Sequence, residues 1–192
     1  MALLVEPRVH QWTRSEYYKM ADVGLFDGKH VELLEGQVIE MSPMGSRHRT
    51  AVLLAGDALR QVFRQGYFVS TQCPLDFSEI TEPEPDVAVI AGQVRDYAEA
   101  HPTTAVLIVE VVDTSLTYDR TTKASLYAKA GIAEYWILNL VDRQLEVHRT
   151  PVADATQPYG FGYADITMRT ATEVVTLLAM PQASIAVAEV LP

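Results

Sequence analysis

Apolar and polar residues alternate along this chain in short blocks that predict both helices and strands. Residues 13–16, Thr-Arg-Ser-Glu, have the spacing of a capping box, which predicts a short helix to about Asp22. Residues 30–41 then predict a β-hairpin that turns at Glu35-Gly36. A helical pattern follows over residues 46–65, and Gly66 predicts its end in the left-handed conformation.

The rest of the chain adds strands to this picture. Helices are predicted near residues 94–101 and 121–130, and the tail from Pro151 begins with a Gly/Tyr/Pro-rich loop. Strands are predicted over residues 67–77, 86–90, 105–113, 134–140, 144–149 and near 173–178. Because residues 105–113 are apolar on both faces, we expect one α/β domain over residues 1–192, with a central mixed sheet flanked by helices.

Composition narrows the class of protein. The 192 residues are 48% hydrophobic and 21% charged, as is usual for a globular domain, and the single cysteine, Cys73, excludes an internal disulfide framework and favours the cytoplasm. No apolar run reaches the roughly 18 residues of a membrane span, and the first residues do not resemble a signal peptide. The net charge of -10 argues against a nucleic acid held over a wide basic face, but it leaves room for a local basic stripe.

Three ionisable residues occupy positions where the pattern expects apolar ones. Glu110 lies within the strand at 105–113, Lys123 lies at the centre of the apolar stripe of the helix at 121–130, and His48 projects onto the buried side of the helix at 46–65. An ionised carboxylate is costly to bury without a partner, so Glu110 needs a cation. Two partners are open: a divalent metal ion, or Lys123 in an ion pair within the core.

Asp86 and a set of arginines extend this group of candidates. Asp86 begins a predicted strand after Pro85, so its oxygens can converge with those of Glu110 as Mg²⁺ or Mn²⁺ prefers, although an acidic loop is the alternative. On the polar side of the helix at 46–65, Arg49, Arg60 and Arg64 fall within about 60° of one another. They form either a track for nucleic-acid phosphates or an ordinary solvated face.

These residues, in this order, resemble a known family. Pro85-Asp86 followed by Glu110-Val111-Val112 resembles the Pro-Asp, Asp/Glu-x-Lys pattern of the restriction-endonuclease-like superfamily. The order VELLEG, MSP, His48, PDV, VEVVD, Lys123 with Tyr127 and GIAEYWI is similar to its Uma-two branch of restriction endonucleases, from about Trp12 to Val147. One departure is Val112, which stands where the superfamily has its lysine.

The resemblance implies a nuclease-type fold, a site and a chemistry. It implies Asp86 and Glu110 as metal ligands, the Val111 carbonyl as a third, and Lys123 on the next helix as the catalytic lysine. Glu32 matches an acidic position of the family's first strand. It would either complete the set of metal ligands or be a surface residue of the hairpin. His48 matches a helical histidine that would contact phosphate or act as acid or base, the alternative being a core histidine. The implied activity is Mg²⁺- or Mn²⁺-dependent hydrolysis of nucleic acid, with DNA as the expected substrate.

Two other functions stay open at this stage. A catalytically silent domain that keeps the fold and binds protein or nucleic acid agrees with the acidic charge, and a different carboxylate-based hydrolase leaves Lys123 unexplained. Cutting both strands of DNA often uses two sites, which makes a homodimer compatible with the nuclease hypothesis.

Overall fold

A computed structural model describes residues 7–192. The N-terminal segment on which the expectation of no signal peptide depends begins outside the described residues. Contacts group the chain into two compact units, one containing the residues up to Pro43 with Asp76–Pro83, the other Met44–Leu75 with Glu84–Pro192. A single domain over the whole chain stays a prediction.

The smaller unit contains the predicted N-terminal helix and hairpin. Helix α1, Arg14–Asp22, begins with the capping box: Thr13 accepts from the Glu16 amide, and the Glu16 side chain accepts from the Thr13 amide. Strands β1, Val31–Leu34, and β2, Gln37–Glu40, pair antiparallel. Glu35 and Gly36 both have positive φ, at 50° and 76°, as a tight two-residue hairpin turn requires.

The larger unit is built on a six-stranded mixed sheet in the order β3-β4-β5-β6-β7-β8. Only β5 and β6 run parallel, and the other neighbours are antiparallel. The strands are β3 Tyr67–Ser70, β4 Val87–Ala91, β5 Leu107–Val112, β6 Glu134–Asn139, β7 Gln144–Ala153 and β8 Phe161–Thr170. A separate two-stranded pair follows, formed by β9, Val174–Thr176, and β10, Ser184–Ala186.

Helices cover both faces of the sheet. Helix α2, Ser46–Val62, packs through Leu59 and its neighbours against a core that includes Val109 and Val111. Alternation along β5 turns Glu110 to the opposite face, where it contacts Tyr127 of α4, Ala124–Lys129. Helix α4 is preceded by one helical turn, α3, Leu116–Tyr118, and by a π-helical segment, Asp119–Lys123. The last helix is α5, Val187–Val190. The predicted α/β fold with a mixed sheet flanked by helices is confirmed.

Three segments differ clearly from the prediction. Helix α2 ends at Val62 because Phe63 leaves the helical conformation and buries its side chain in the core, so Arg64 lies beyond the helix. The predicted loop after Pro151 contains the long strand β8, whose residues are mostly solvent-exposed and therefore lack a clear apolar face. The helix expected near residues 94–101 is a 3₁₀ turn, Val94–Tyr97.

No helix formed by residues 7–192 combines the length and the apolar character needed to cross a membrane.

Candidate active site

The two candidate carboxylates lie opposite each other on neighbouring strands. Val87 of β4 is the register partner of Val109 of β5, which brings the preceding residue, Asp86, opposite Glu110. The Asp86 amide donates to Glu110 Oε2 at 3.3 Å, and the Val111 amide donates to Asp86 Oδ2 at 2.9 Å. Both side chains belong to residues that are less than one-tenth exposed. The backbone of each strand therefore holds the carboxylate of the other.

The other carboxylate oxygen of Glu110, Oε1, contacts an ammonium group and a phenol hydroxyl. Lys123 Nζ lies 3.2 Å from Oε1, and the Tyr127 hydroxyl donates to the same oxygen at 2.5 Å. Lys123 is 1% exposed, so both charges of the pair are removed from water. The ion pair between Glu110 and Lys123, which is one of the two partners that the sequence offers, is therefore present.

The π-helical segment positions the cationic side of this pair. A π turn contains one more residue than an α turn, and such turns are frequent at functional sites. Here it ends at Lys123, and Tyr127 follows four residues later on the same helical face. Arg120 of the same segment donates two hydrogen bonds to Glu146 of β7, at 2.9 and 2.7 Å. The segment is therefore tied to two strands of the sheet by two carboxylates.

His48 approaches the site from the first turn of α2. Its Nε2 lies 3.0 Å from Asp86 Oδ1, with the tautomer set by that contact. Desolvation lowers the pKa of His48, but the hydrogen bond to Asp86 and the charges of Asp86, Glu110 and Asp113 together raise it above the ordinary value of 6.5. The site thus contains two carboxylates, a buried ammonium and an imidazole whose charged form is favoured.

A family described as "Putative restriction endonuclease" matches residues 14–188, almost the whole chain. The chain belongs to this family, Uma2. The resemblance inferred from the sequence is confirmed, and membership supports a nuclease, that is, a hydrolase acting on nucleic acid.

A solved structure confirms the fold. The chain is similar to a crystal structure described as a "putative nuclease belonging to DUF820" from Anabaena variabilis ATCC 29413, with a TM-score of 0.70 and 11% sequence identity. The match covers 93% of this chain and 96% of the other. No curated protein matches the chain.

Glu32 and the three arginines are the other residues predicted for this Uma2 site. Glu32 lies on β1 in the smaller unit and is buried, which rules out the surface hairpin position. Arg49 and Arg60 are exposed on α2, and Arg60 pairs with Asp57 at 3.0 Å. The predicted alignment of three arginines along one helix is wrong for Arg64, because α2 ends before it. The roles of Glu32 and of the arginines stay predictions.

The carboxylate oxygens that would bind a divalent ion already accept hydrogen bonds from the protein. Among residues 7–192 no group of three or more His, Cys, Asp and Glu side chains is arranged to hold a metal. The carboxylates of Asp86 and Glu110 nevertheless fit Mg²⁺, which is usually held by one or two carboxylates together with waters and substrate phosphate. All four of their oxygens accept protein hydrogen bonds, so an ion would displace or share at least one of these donors.

Two residues near the carboxylates were not predicted as site residues. Tyr127 enters the sequence analysis only through the resemblance, beside Lys123, and nothing in the helical pattern shows that its hydroxyl reaches Glu110. Gln72 follows β3 in the loop, and its side-chain amide approaches Asp86 Oδ1 at 3.5 Å. A positive φ of 50° at Gln72 shapes this loop, but polar loop residues are too common for the sequence to single it out.

Proposed function

We propose that this Uma2 chain is a metal-dependent endonuclease that hydrolyses phosphodiester bonds in DNA. The observation that supports this proposal is the convergence of two buried carboxylates, Asp86 and Glu110, with the buried ammonium of Lys123. Buried ionisable groups of both signs are costly to keep and cluster at functional sites. The exposed single cysteine, Cys73, agrees with a cytoplasmic location, which we also propose.

Asp86 and Glu110 would hold Mg²⁺ or Mn²⁺, with the Val111 carbonyl as a further proposed ligand. The ion would supply positive charge against the phosphodiester and make a water molecule more acidic. The Asp86 and Val111 amides, which hold the two carboxylates in place, would keep this donor set oriented.

Lys123 and His48 would supply the remaining charge and proton transfer. Lys123 would orient or help deprotonate the attacking water, or stabilise the charge that develops on the phosphoryl oxygens. His48, whose raised pKa favours its charged form, would contact a phosphate oxygen or act as acid or base. Arg49, Arg60 and Arg64 would contact the DNA backbone, and the pair of Arg60 with Asp57 leaves further guanidinium donors for a phosphate.

One observation favours a second function. The charge of Glu110 is balanced by Lys123, and its carboxylate accepts a hydrogen bond from Tyr127. These protein groups can hold the buried carboxylate without an ion. A catalytically silent domain that binds protein or nucleic acid would have the same contacts.

Cleavage and ion binding distinguish the two functions. We would incubate the chain with supercoiled plasmid, single-stranded DNA and RNA, with Mg²⁺, with Mn²⁺ or with chelator, and measure ion binding by calorimetry. Asp86→Asn, Glu110→Gln and Lys123→Met should each lower cleavage by about 10²-fold or more. Glu134→Gln is the matched control, because Glu134 of β6 is also a buried carboxylate with a cationic partner, Arg149 of β7.

We expect ion-dependent cleavage of DNA by the wild type and by Glu134→Gln. If the wild type cuts no nucleic acid and binds no divalent ion, the silent interaction domain replaces the nuclease. Cleavage of RNA in preference to DNA would correct the substrate.

A further inference from the structure

The outer edge of the main sheet is formed by an unusually long strand. β8 is the last strand in the sheet and has ten residues, and β7 is its only strand neighbour in the described part of the chain. The edge of such a strand presents unpaired N–H and C=O groups that can pair with another strand. Natural edge strands are often protected by lysine or proline, and residues 161–170 contain neither.

The middle of β8 is open to solvent on both faces. Residues 164–168 are all exposed, and they include two large apolar side chains, Ile166 at 51% and Met168 at 46% exposure. These two side chains lie on the same face, because their positions differ by two along the strand. Exposed apolar side chains beside an unpaired edge indicate a surface that another strand can cover.

The sequence of β8 is complementary to itself in one antiparallel register. When two copies of β8 pair antiparallel with Thr167 opposite Thr167, Asp165 of each copy lies opposite Arg169 of the other. The same register brings Ile166 opposite Met168, so the two exposed apolar side chains of each copy cover those of the other. Opposite charges and apolar pairs directly across an antiparallel ladder stabilise it.

Neighbouring registers lose this match. Pairing centred on Ile166 places Asp165 opposite Thr167, and pairing centred on Met168 places Asp165 opposite Ala171. We propose that β8 is a homodimer interface, in which a second copy of this chain pairs antiparallel with β8 about Thr167 and the two sheets become continuous.

The charged side chains are in place for this pairing. Asp165 accepts a hydrogen bond from the Thr150 hydroxyl at 2.6 Å, and Arg169 lies 3.3 Å from Glu173. A carboxylate accepts several hydrogen bonds and a guanidinium donates up to five, so each of these contacts leaves capacity for a partner across the interface.

Charge reversal tests the register. The dissociation constant of the dimer would be measured by analytical ultracentrifugation over a concentration series, without nucleic acid, so the result does not depend on the nuclease activity. Asp165→Arg and Arg169→Asp each create two like-charged pairs and should each raise the dissociation constant about tenfold or more. An equimolar mixture of these two variants restores both opposite-charge pairs, so it should form a heterodimer about as tightly as the wild type.

Matched controls separate interface effects from effects within one chain. Thr150→Ala removes the hydroxyl that donates to Asp165, and Glu173→Gln removes the negative charge beside Arg169; neither reverses a charge, and both should leave the dimer intact. Circular dichroism checks that every variant folds. A wild type that stays monomeric overturns the proposal. Reversals that leave the dimer unchanged, or a mixture that fails to form the heterodimer, also overturn it.

Discussion

Replacing Lys123 by methionine should reveal how much the buried ion pair contributes to the stability of the fold. The ammonium lies 3.2 Å from Glu110 Oε1, which at an effective dielectric constant of about 20 corresponds to an attraction of about 5 kcal/mol. Methionine keeps most of the volume of the side chain but leaves the Glu110 carboxylate buried without its cation. Loss of one partner of a buried pair typically costs about 3–5 kcal/mol, and we expect the lower end because the Tyr127 and Asp86 donors remain.

The assay is urea unfolding of four proteins in the presence of chelator: wild type, Lys123→Met, Glu110→Gln and the double variant. The double variant should recover much of the loss, since no buried charge is left without a partner. Lys129→Met, an exposed lysine of the same helix, is the control and should change stability by at most about 1 kcal/mol, because it loses only a contact over the Tyr159 ring.

Adding Mn²⁺ to the Lys123→Met variant links this experiment to the metal site. The ion can offset the charge of Glu110, so the ion should stabilise the variant more than it stabilises the wild type. The gain in the variant's free energy of unfolding should be about 2.7 kcal/mol when the free ion is a hundredfold above its dissociation constant for the variant. A loss below about 1 kcal/mol for Lys123→Met, or a double variant as unstable as the single one, would refute the reasoning that the pair is strongly coupled.

Two further predictions concern the groups around the carboxylates. Tyr127→Phe removes one donor to Glu110 and should lower the free energy of unfolding by about 1.5–3 kcal/mol in chemical denaturation; an unchanged value would show that the hydroxyl contact does not stabilise the fold. Because the pKa of His48 is higher in the folded chain than its ordinary value of 6.5, its stabilising contribution should be complete below pH 6.5 and disappear as the pH rises through the folded pKa. His48→Gln should abolish this dependence in metal-free unfolding, and the same pH profile in both proteins would contradict it.

Local features of the sequence predicted much of the architecture. The capping box of Thr13 and Glu16 and the turn at Glu35-Gly36 depend on residues close together in the chain, and both are confirmed. Strand β8 was missed because its residues are exposed on both faces, which removes the alternation that identifies a half-buried strand. The early end of α2 was missed because the packing of Phe63 outweighed the helical pattern.

The sequence by itself determined that Glu110 and Lys123 would lie in apolar surroundings, because periodicity fixes which face of a strand or helix a residue occupies. It also identified the family through the order of residues around them. Only the tertiary structure decided that Lys123 and Tyr127 share one oxygen of Glu110, and that Asp86 lies across from it. Such contacts depend on strand register and helix packing between distant segments, and a shift of one residue in register would turn each side chain to the other face of the sheet.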